Sequence, residues 1–130
     1  MTDTATALNA GIIFDAALAS LLRSTTDLES GNPLSITHGP GDVSPEAKRL
    51  LRQEIEEFLD EYSDDLHEAL NSGTGYTQEN IGQDIALTRN HHGAGFWDRG
   101  IGPVGARLTE AAHSLGSFEL FATADGSLCA

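Results

Sequence analysis

One segment, residues 88–100, concentrates the residue types that carry out chemistry. It runs TRNHHGAGFWDRG and holds two adjacent histidines, the only tryptophan, two arginines, an aspartate and three glycines. Glycine lets the backbone turn through positive φ and approach other groups closely, and a Phe-Trp pair can bury a large apolar area. The composition predicts either a binding or catalytic loop or an unusually well-anchored structural one.

The imidazole and carboxylate groups of this segment raise the question of a metal site. His91 and His92, with Asp84 and Asp98 nearby in sequence, are ligand types that zinc, manganese or iron accept. Adjacent residues of an extended chain point to opposite faces, so the two histidines could share an ion only within an irregular turn. Because the spacing matches no established signature, we assign no metal ligand and no cofactor. A small metal-dependent hydrolase centred on His92 and Asp98 is kept as the alternative function.

The same segment could form a pocket without a metal. It supplies a candidate base, a carboxylate to orient the base, an amide and two anion-binding guanidinium groups: Arg89, Asn90, His92, Asp98 and Arg99. No serine or cysteine nucleophile accompanies them, so no catalytic residue is predicted. The competing interpretation, which we favour, is structural: Phe96 and Trp97 fill a core, and Asp98 caps a turn or pairs with an arginine.

The second notable feature is a run of acidic residues. Eight acids and no Lys or Arg lie between positions 54 and 68, whereas Lys48, Arg49 and Arg52 precede them. In one long helix both placements oppose the helix dipole, at about a few tenths of a kcal/mol for each exposed charge. The run is either a solvated face or a strip of carboxylates that occupies a basic, phosphate-binding groove of another protein. The predicted partner-binding residues are Glu54, Glu57, Asp60, Glu61, Asp64, Asp65 and Glu68.

The overall charge limits the class of partner. Seven Lys and Arg stand against 20 Asp and Glu, which gives a formal net charge of −13. Such a chain repels nucleic-acid phosphates and anionic lipids, so we expect a protein partner, for example a basic nucleic-acid-binding protein, and neither direct nucleic-acid nor membrane binding. The single cysteine, Cys129, excludes an internal disulfide and fits a reducing compartment.

The N-terminal stretch lacks the features of a targeting segment. It has no basic n-region, and Asp15 interrupts its apolar residues. No run approaches the roughly 18 apolar residues of a membrane span. These observations predict a protein of the host cytoplasm.

Apolar periodicity and capping residues predict the elements that must position these groups. The length of 130 residues favours one domain, 1–130. Within it the predicted elements are helices at 9–24, 45–70, 78–89 and 103–114, an internal loop at 25–43 that could hold a short extended piece at 34–37, and a glycine-rich loop at 88–102. A C-terminal β-hairpin should turn at Asp125-Gly126.

The predicted fold class is therefore α+β and mostly helical, with three or four helices, one of them long, and a C-terminal two-stranded β-hairpin. Asn9, Ser44 and Thr77 are the candidate N-caps. At 1.5 Å per residue the helix at 45–70 would be roughly 39 Å long. That length is large for so small a domain and leaves a homodimer as an open alternative.

The C-terminal part of the chain resembles a family of small tailed-phage proteins with the segment LTRN-x-HGAGFWDRG, a G-x-x-L-T-E-A-A helix and an acidic hairpin. The resemblance spans about residues 80–128 and implies a phage or prophage origin, but no particular activity. Thirteen residues of this chain match the first segment of the family: Leu87, Thr88, Arg89, Asn90, His92, Gly93, Ala94, Gly95, Phe96, Trp97, Asp98, Arg99 and Gly100. The helix and turn match at Gly105, Leu108, Thr109, Glu110, Ala111, Ala112 and Asp125-Gly126.

Two positions depart from the family pattern. His91 stands where relatives often have a smaller residue, and the chain ends Leu128-Cys129-Ala130 in place of an aromatic-bearing strand. The first 75 residues, which include the acidic run, lie outside the resemblance. The resulting functional prediction is a non-enzymatic acidic phage accessory protein that binds and modulates a host or phage protein. An anti-CRISPR or anti-restriction nucleic-acid mimic belongs to this class.

Overall fold

A computed structural model describes residues 7–130 of the chain. The elements follow in the order α1 (Ala10–Ser24), α2 (Pro45–Glu61), α3 (Ser63–Leu70), α4 (Gln78–Arg89), α5 (Val104–His113), β1 (Phe121–Ala122) and β2 (Leu128–Cys129). Residues 1–6, part of the stretch considered above for a targeting signal, lie outside the described residues. Across residues 7–130 there is no helix with the length and apolar character needed to cross a membrane.

Three helices begin where the capping residues predict. In each case the side-chain oxygen of the N-cap accepts a hydrogen bond from the backbone N–H three residues further on. This bond satisfies one of the amide groups that the first helical turn leaves without an intrahelical partner. The predictions for Asn9, Ser44 and Thr77 are confirmed.

Helices α1 and α4 make the most extensive contact of any two helices in the described residues. Gly82 of α4 is the reason they can approach so closely, because a β-carbon there would overlap the carbonyl oxygen of Ile13 in α1. Ile13, Leu21, Ile81 and Ile85 are fully buried in this interface. The buried α1–α4 interface therefore fixes the position of α4, from whose end the glycine-rich loop begins.

The predicted helix over 45–70 is wrong as a single element. It ends at Glu61, Tyr62 leaves helical geometry at φ −110° and ψ 26°, and α3 begins at Ser63. Beyond the bend Leu66 and Ala69 are fully buried and α3 packs on α5. Packing thus divides a continuous apolar pattern into two helices, and α2 alone is about 26 Å long.

The bend also changes the electrostatics of the acidic run. Asp64 and Asp65 fall in the first turn of α3, where the helix dipole favours negative charge. Asp60 and Glu61 remain at the end of α2, where it does not. The charge order is therefore less unfavourable than a single helix would make it.

The loop and the hairpin complete the fold. A 3₁₀ turn at Leu34–Ile36 replaces the expected extended piece, because buried Leu34 is turned inward to the core. Strands β1 and β2 pair antiparallel, with Ala122 opposite Leu128, and the predicted hairpin is confirmed. Leu128 also bridges to Val43, so the hairpin rests against the start of α2. The α+β, mostly helical class is confirmed, with five α-helices in residues 7–130.

Candidate functional site

Arg89 is buried at the end of α4, with 1% of its surface exposed. Its Nη1 donates to Oε1 of Glu54 at 2.8 Å, and its Nε and Nη2 donate to the carbonyl oxygens of Gly116 at 2.7 Å and Leu115 at 3.2 Å. The guanidinium also lies 5.3 Å from the ring centre of Phe118. Arg89 therefore joins α2, α4 and the segment after α5, and its partner Glu54 is a structural residue. Binding of a partner by Glu54 stays a prediction from the sequence.

Asn90 holds the chain that leads into the hairpin. Its Oδ1 accepts the N–H of Phe118 at 2.8 Å, and its Nδ2 donates to the carbonyl oxygen of the same residue at 3.0 Å. The side-chain amide thus pairs with the backbone as a neighbouring strand would. Both hydrogen-bonding edges of Asn90 are engaged inside the fold.

The Gly-Ala-Gly-Phe turn is built against the side chain of Thr88. Gly95 has φ +147°, and a β-carbon there would overlap Thr88 Oγ1, which accepts the N–H of Phe96 at 3.3 Å. Asp98 Oδ1 accepts the N–H of Gly95 at 3.1 Å, so the prediction that Asp98 caps a turn is confirmed. Phe96 is fully buried and stacks on Phe58 with ring centres 6.3 Å apart.

Two neighbours of this turn do not enter the core. Trp97, expected to fill the core together with Phe96, is 57% exposed, so half of that prediction is wrong. Gly93 is exposed and has φ +77°, which lets the chain reverse after α4. The turn is therefore anchored by one aromatic residue and presents the other at the surface.

A half-buried arginine, Arg99, forms a second cluster with the buried residues Asp84 and Tyr76. Arg99 donates from Nε to both carboxylate oxygens of Asp84 at 3.1 and 3.0 Å, and from Nη2 to Oδ1 at 2.9 Å. The hydroxyl of Tyr76 donates to Oδ2 of Asp84 at 2.6 Å. Burial raises the pKa of Asp84, and the hydrogen bonds from Arg99 and Tyr76 oppose that rise. Burial, followed by the Asp84 charge, raises the pKa of Tyr76.

Sequence reasoning did not single out Tyr76. The signal was present, because Tyr76 directly precedes the N-cap Thr77 and is followed by Ile81 in the second turn of α4. Apolar residues in these two places often pack together as a hydrophobic staple, and both are buried here. The partnership with Asp84 required the tertiary structure.

The histidines do not converge on a common point. His91 adopts φ +56° at the end of α4, and its ring stacks on that of His113 with centres 4.3 Å apart. His92 is exposed, and the carboxylates of Asp84 and Asp98 are engaged as described above. In residues 7–130 no group of three or more His, Cys, Asp or Glu side chains is arranged to hold a metal ion. The metal-dependent hydrolase stays a prediction from the sequence.

The acidic run divides into carboxylates that form ion pairs and carboxylates that do not, although Glu57 accepts a hydrogen bond from Gln53 at 3.4 Å. Besides Glu54, Asp65 and Glu68 are engaged, because Arg107 pairs with them at 3.2 and 2.9 Å. The other four residues predicted to bind a partner are exposed and form no ion pair within residues 7–130. We call these four the acidic face: Glu57, Asp60, Glu61 and Asp64.

An open groove of about 530 Å³ lies beside the acidic face, between the α2–α3 bend and α5. We call it the Tyr62 groove; its lining residues are Tyr62, Asp65, Ala106, Arg107, Glu110, Ala111 and Ser114. The pKa of Tyr62 is raised by desolvation and by the neighbouring carboxylates of Glu61 and Asp65. The groove therefore combines an aromatic ring and small apolar residues with negative charge.

Comparison of the chain with protein-family models, curated proteins and solved structures finds no match. Function must be inferred from the contacts and the surface described above.

Proposed function

We propose that this chain is a non-enzymatic phage accessory protein that binds and modulates a basic, nucleic-acid-binding protein of the host or the phage through its acidic face. An anti-restriction or anti-CRISPR protein acts in this manner. The observation that carries the proposal is the set of four exposed carboxylates on the α2–α3 surface without ion-pair partners in residues 7–130. Surface negative charge of this kind steers and orients a positively charged partner.

The distribution of the cations supports this interpretation. Five of the seven Lys and Arg residues, all of which lie within residues 7–130, are in ion pairs: Arg49, Arg52, Arg89, Arg99 and Arg107. The acidic face is not compensated by any of them, although its charges repel one another within eight positions of the sequence. An arrangement that costs stability is retained more readily where it serves binding.

The contacts of the 88–100 segment support the same division of roles. Its two arginines, its asparagine and its aspartate all bond to groups inside the fold. The segment is thereby explained as a scaffold that connects α4, α5 and the hairpin. The acidic face is left as four exposed carboxylates without an ion-pair partner in residues 7–130.

A charge-reversal experiment tests the proposal. One variant carries Lys at all four positions of the acidic face, and a matched control carries Lys at four exposed acids elsewhere: Asp15, Glu29, Glu79 and Glu119. Both variants change the net charge by the same amount, so they separate the position of the charge from its total. The tagged proteins are used to capture partners from host lysate at several salt concentrations, with bound proteins identified by mass spectrometry.

We expect the natural protein and the control to capture the same basic protein and to release it as the salt concentration rises. Added duplex DNA should compete for the basic protein and also release it. The acidic-face variant should fold, as judged by circular dichroism, and capture none of it. Equal capture by a folded acidic-face variant would overturn the proposal.

A further inference from the structure

We propose that the Tyr62 groove binds an arginine side chain of the protein partner, with the guanidinium over the Tyr62 ring and against the Glu110 carboxylate. The inference rests on the proposed function, because it supplies the point at which a basic partner enters a pocket beside the acidic face. It extends that function from general charge attraction to recognition of one side-chain type.

The fold already contains this arrangement three times. In each case a guanidinium lies 5.3–5.8 Å from the centre of an aromatic ring and also pairs with a carboxylate. The three sets are Arg52 with Phe14 and Glu56, Arg89 with Phe118 and Glu54, and Arg99 with Tyr76 and Asp84. A planar guanidinium suits both partners, since it stacks on the ring and forms directed hydrogen bonds to the carboxylate.

The groove contains the ring and the carboxylate of a fourth such set. No arginine of residues 7–130 lies over the Tyr62 ring, and Glu110 forms no ion pair among the same residues. Arg107 lines the groove, but its Nε and Nη2 are engaged by Asp65 and Glu68. The place of the guanidinium is thus open to a partner.

Charge and shape both suit an arginine. Counting the lining residues together with the adjacent Glu61 and Glu68, the groove region has four carboxylates and one guanidinium. Exposed Ala106 and the almost completely buried Ala111 line the groove, and the aliphatic stem of a long side chain can lie against them. A neutral or acidic side chain would gain less from the same surroundings.

The test is an NMR titration of the full chain with short synthetic peptides. The probe is a Gly-Ser octapeptide with two central arginines; matched peptides carry lysine, or citrulline as the uncharged isostere of arginine. We expect the arginine peptide to shift the amide signals of Tyr62, Ala106, Glu110 and Ala111, with weaker binding of the lysine peptide and none of the citrulline peptide.

Two variants examine the groove itself. Tyr62→Leu keeps apolar bulk but removes the ring face, and Glu110→Gln removes the charge; each should weaken the arginine peptide about threefold. Glu119→Gln, an exposed acid on the segment before β1, is the control and should leave the affinity unchanged. Equal weakening by Glu110→Gln and Glu119→Gln would contradict the proposal.

The outcomes separate this inference from the proposed function. Peptide shifts at Glu57, Asp60 and Asp64 alone would overturn the groove and leave the acidic face intact. Shifts of the groove signals on concentrating the protein without peptide would assign the groove to a second copy of the chain and overturn the proposal. The arginine peptide could bind the groove while the acidic-face variant still captures the partner from lysate. That result would overturn the proposed function and leave the groove proposal intact.

Discussion

Arg89 and Glu54 lie 35 positions apart in the sequence, yet Nη1 of the arginine is 2.8 Å from Oε1 of the glutamate, and the guanidinium is almost completely buried. The pair connects α2 to the end of α4, and the remaining donors of Arg89 bind the carbonyl groups that follow α5. A positive charge is favourable at that helix end. One side chain thus connects α2 and α4 to the segment that follows α5.

Arg89→Met should lower the free energy of unfolding by about 3 kcal/mol or more. Methionine keeps much of the apolar bulk, but it leaves Glu54 unpaired and removes the donors that bind the carbonyl groups of Leu115 and Gly116. Urea denaturation at neutral pH measures the loss. Arg52→Met is the control, because its pair with Glu56 is exposed and should be worth about 1 kcal/mol or less. Similar losses in the two variants would refute a central role for Arg89.

Arg99→Met should give a loss of stability that depends on pH. Its removal leaves the Asp84 carboxylate buried beside Tyr76 alone, so the pKa of Asp84, already raised by burial, should rise further. A raised pKa in the folded state means that the folded chain binds a proton more readily than the unfolded chain. The folded state is therefore favoured as pH falls through that pKa.

The free energy of unfolding of Arg99→Met should be about 3 kcal/mol lower than that of the natural protein at pH near 7. This deficit should shrink toward pH near 5. Urea denaturation at both pH values measures it. Arg107→Met, which disrupts largely exposed pairs, should show a small deficit at both. A deficit in Arg99→Met that grows on acidification would contradict the assignment of Asp84 as the buried charge.

Two positions with positive φ should change stability in opposite directions when a β-carbon is added at one and removed at the other. Gly95→Ala should destabilise by about 2 kcal/mol or more, because the methyl group meets Thr88 and the backbone conformation disfavours any β-carbon. At position 91 a β-carbon is already present, and His91→Gly should be about 1 kcal/mol more stable than His91→Ala. Both replacements lose the stacking on His113, so their difference isolates the backbone. Thermal denaturation of the three variants decides the matter.

Because the charges of the acidic face repel one another, the fold should become more stable as the salt concentration rises. Screening weakens repulsion among exposed like charges, so the melting temperature should rise between about 0.02 M and about 0.5 M NaCl. Neutralising the face with Gln and Asn should raise the melting temperature at low salt and reduce the salt-dependent increase. Neutralising Asp15, Glu29, Glu79 and Glu119 is the control and should reduce it less. An equal reduction in both would assign the effect to net charge alone.

The beginnings of the helices and the turn of the hairpin were determined by the sequence itself. Asn9, Ser44 and Thr77 bond to amides only three residues away, and Asp125-Gly126 turns the chain within a few residues. Asp98 belongs with them, because it caps Gly95 three positions earlier. Such interactions involve near neighbours and require no knowledge of the remaining chain.

The bend at Tyr62, the exposure of Trp97 and the roles of the charged residues were decided only by the tertiary structure. Glu54 and Asp65 belong to the same acidic pattern as Asp60. They differ from Asp60 only because Arg89 of α4 pairs with Glu54 and Arg107 of α5 pairs with Asp65. The apolar pattern of residues 45–70 likewise continues across the bend between α2 and α3 without a break. The physical reason is that desolvation and ion pairing depend on which distant segments pack together, and local sequence patterns do not contain that information.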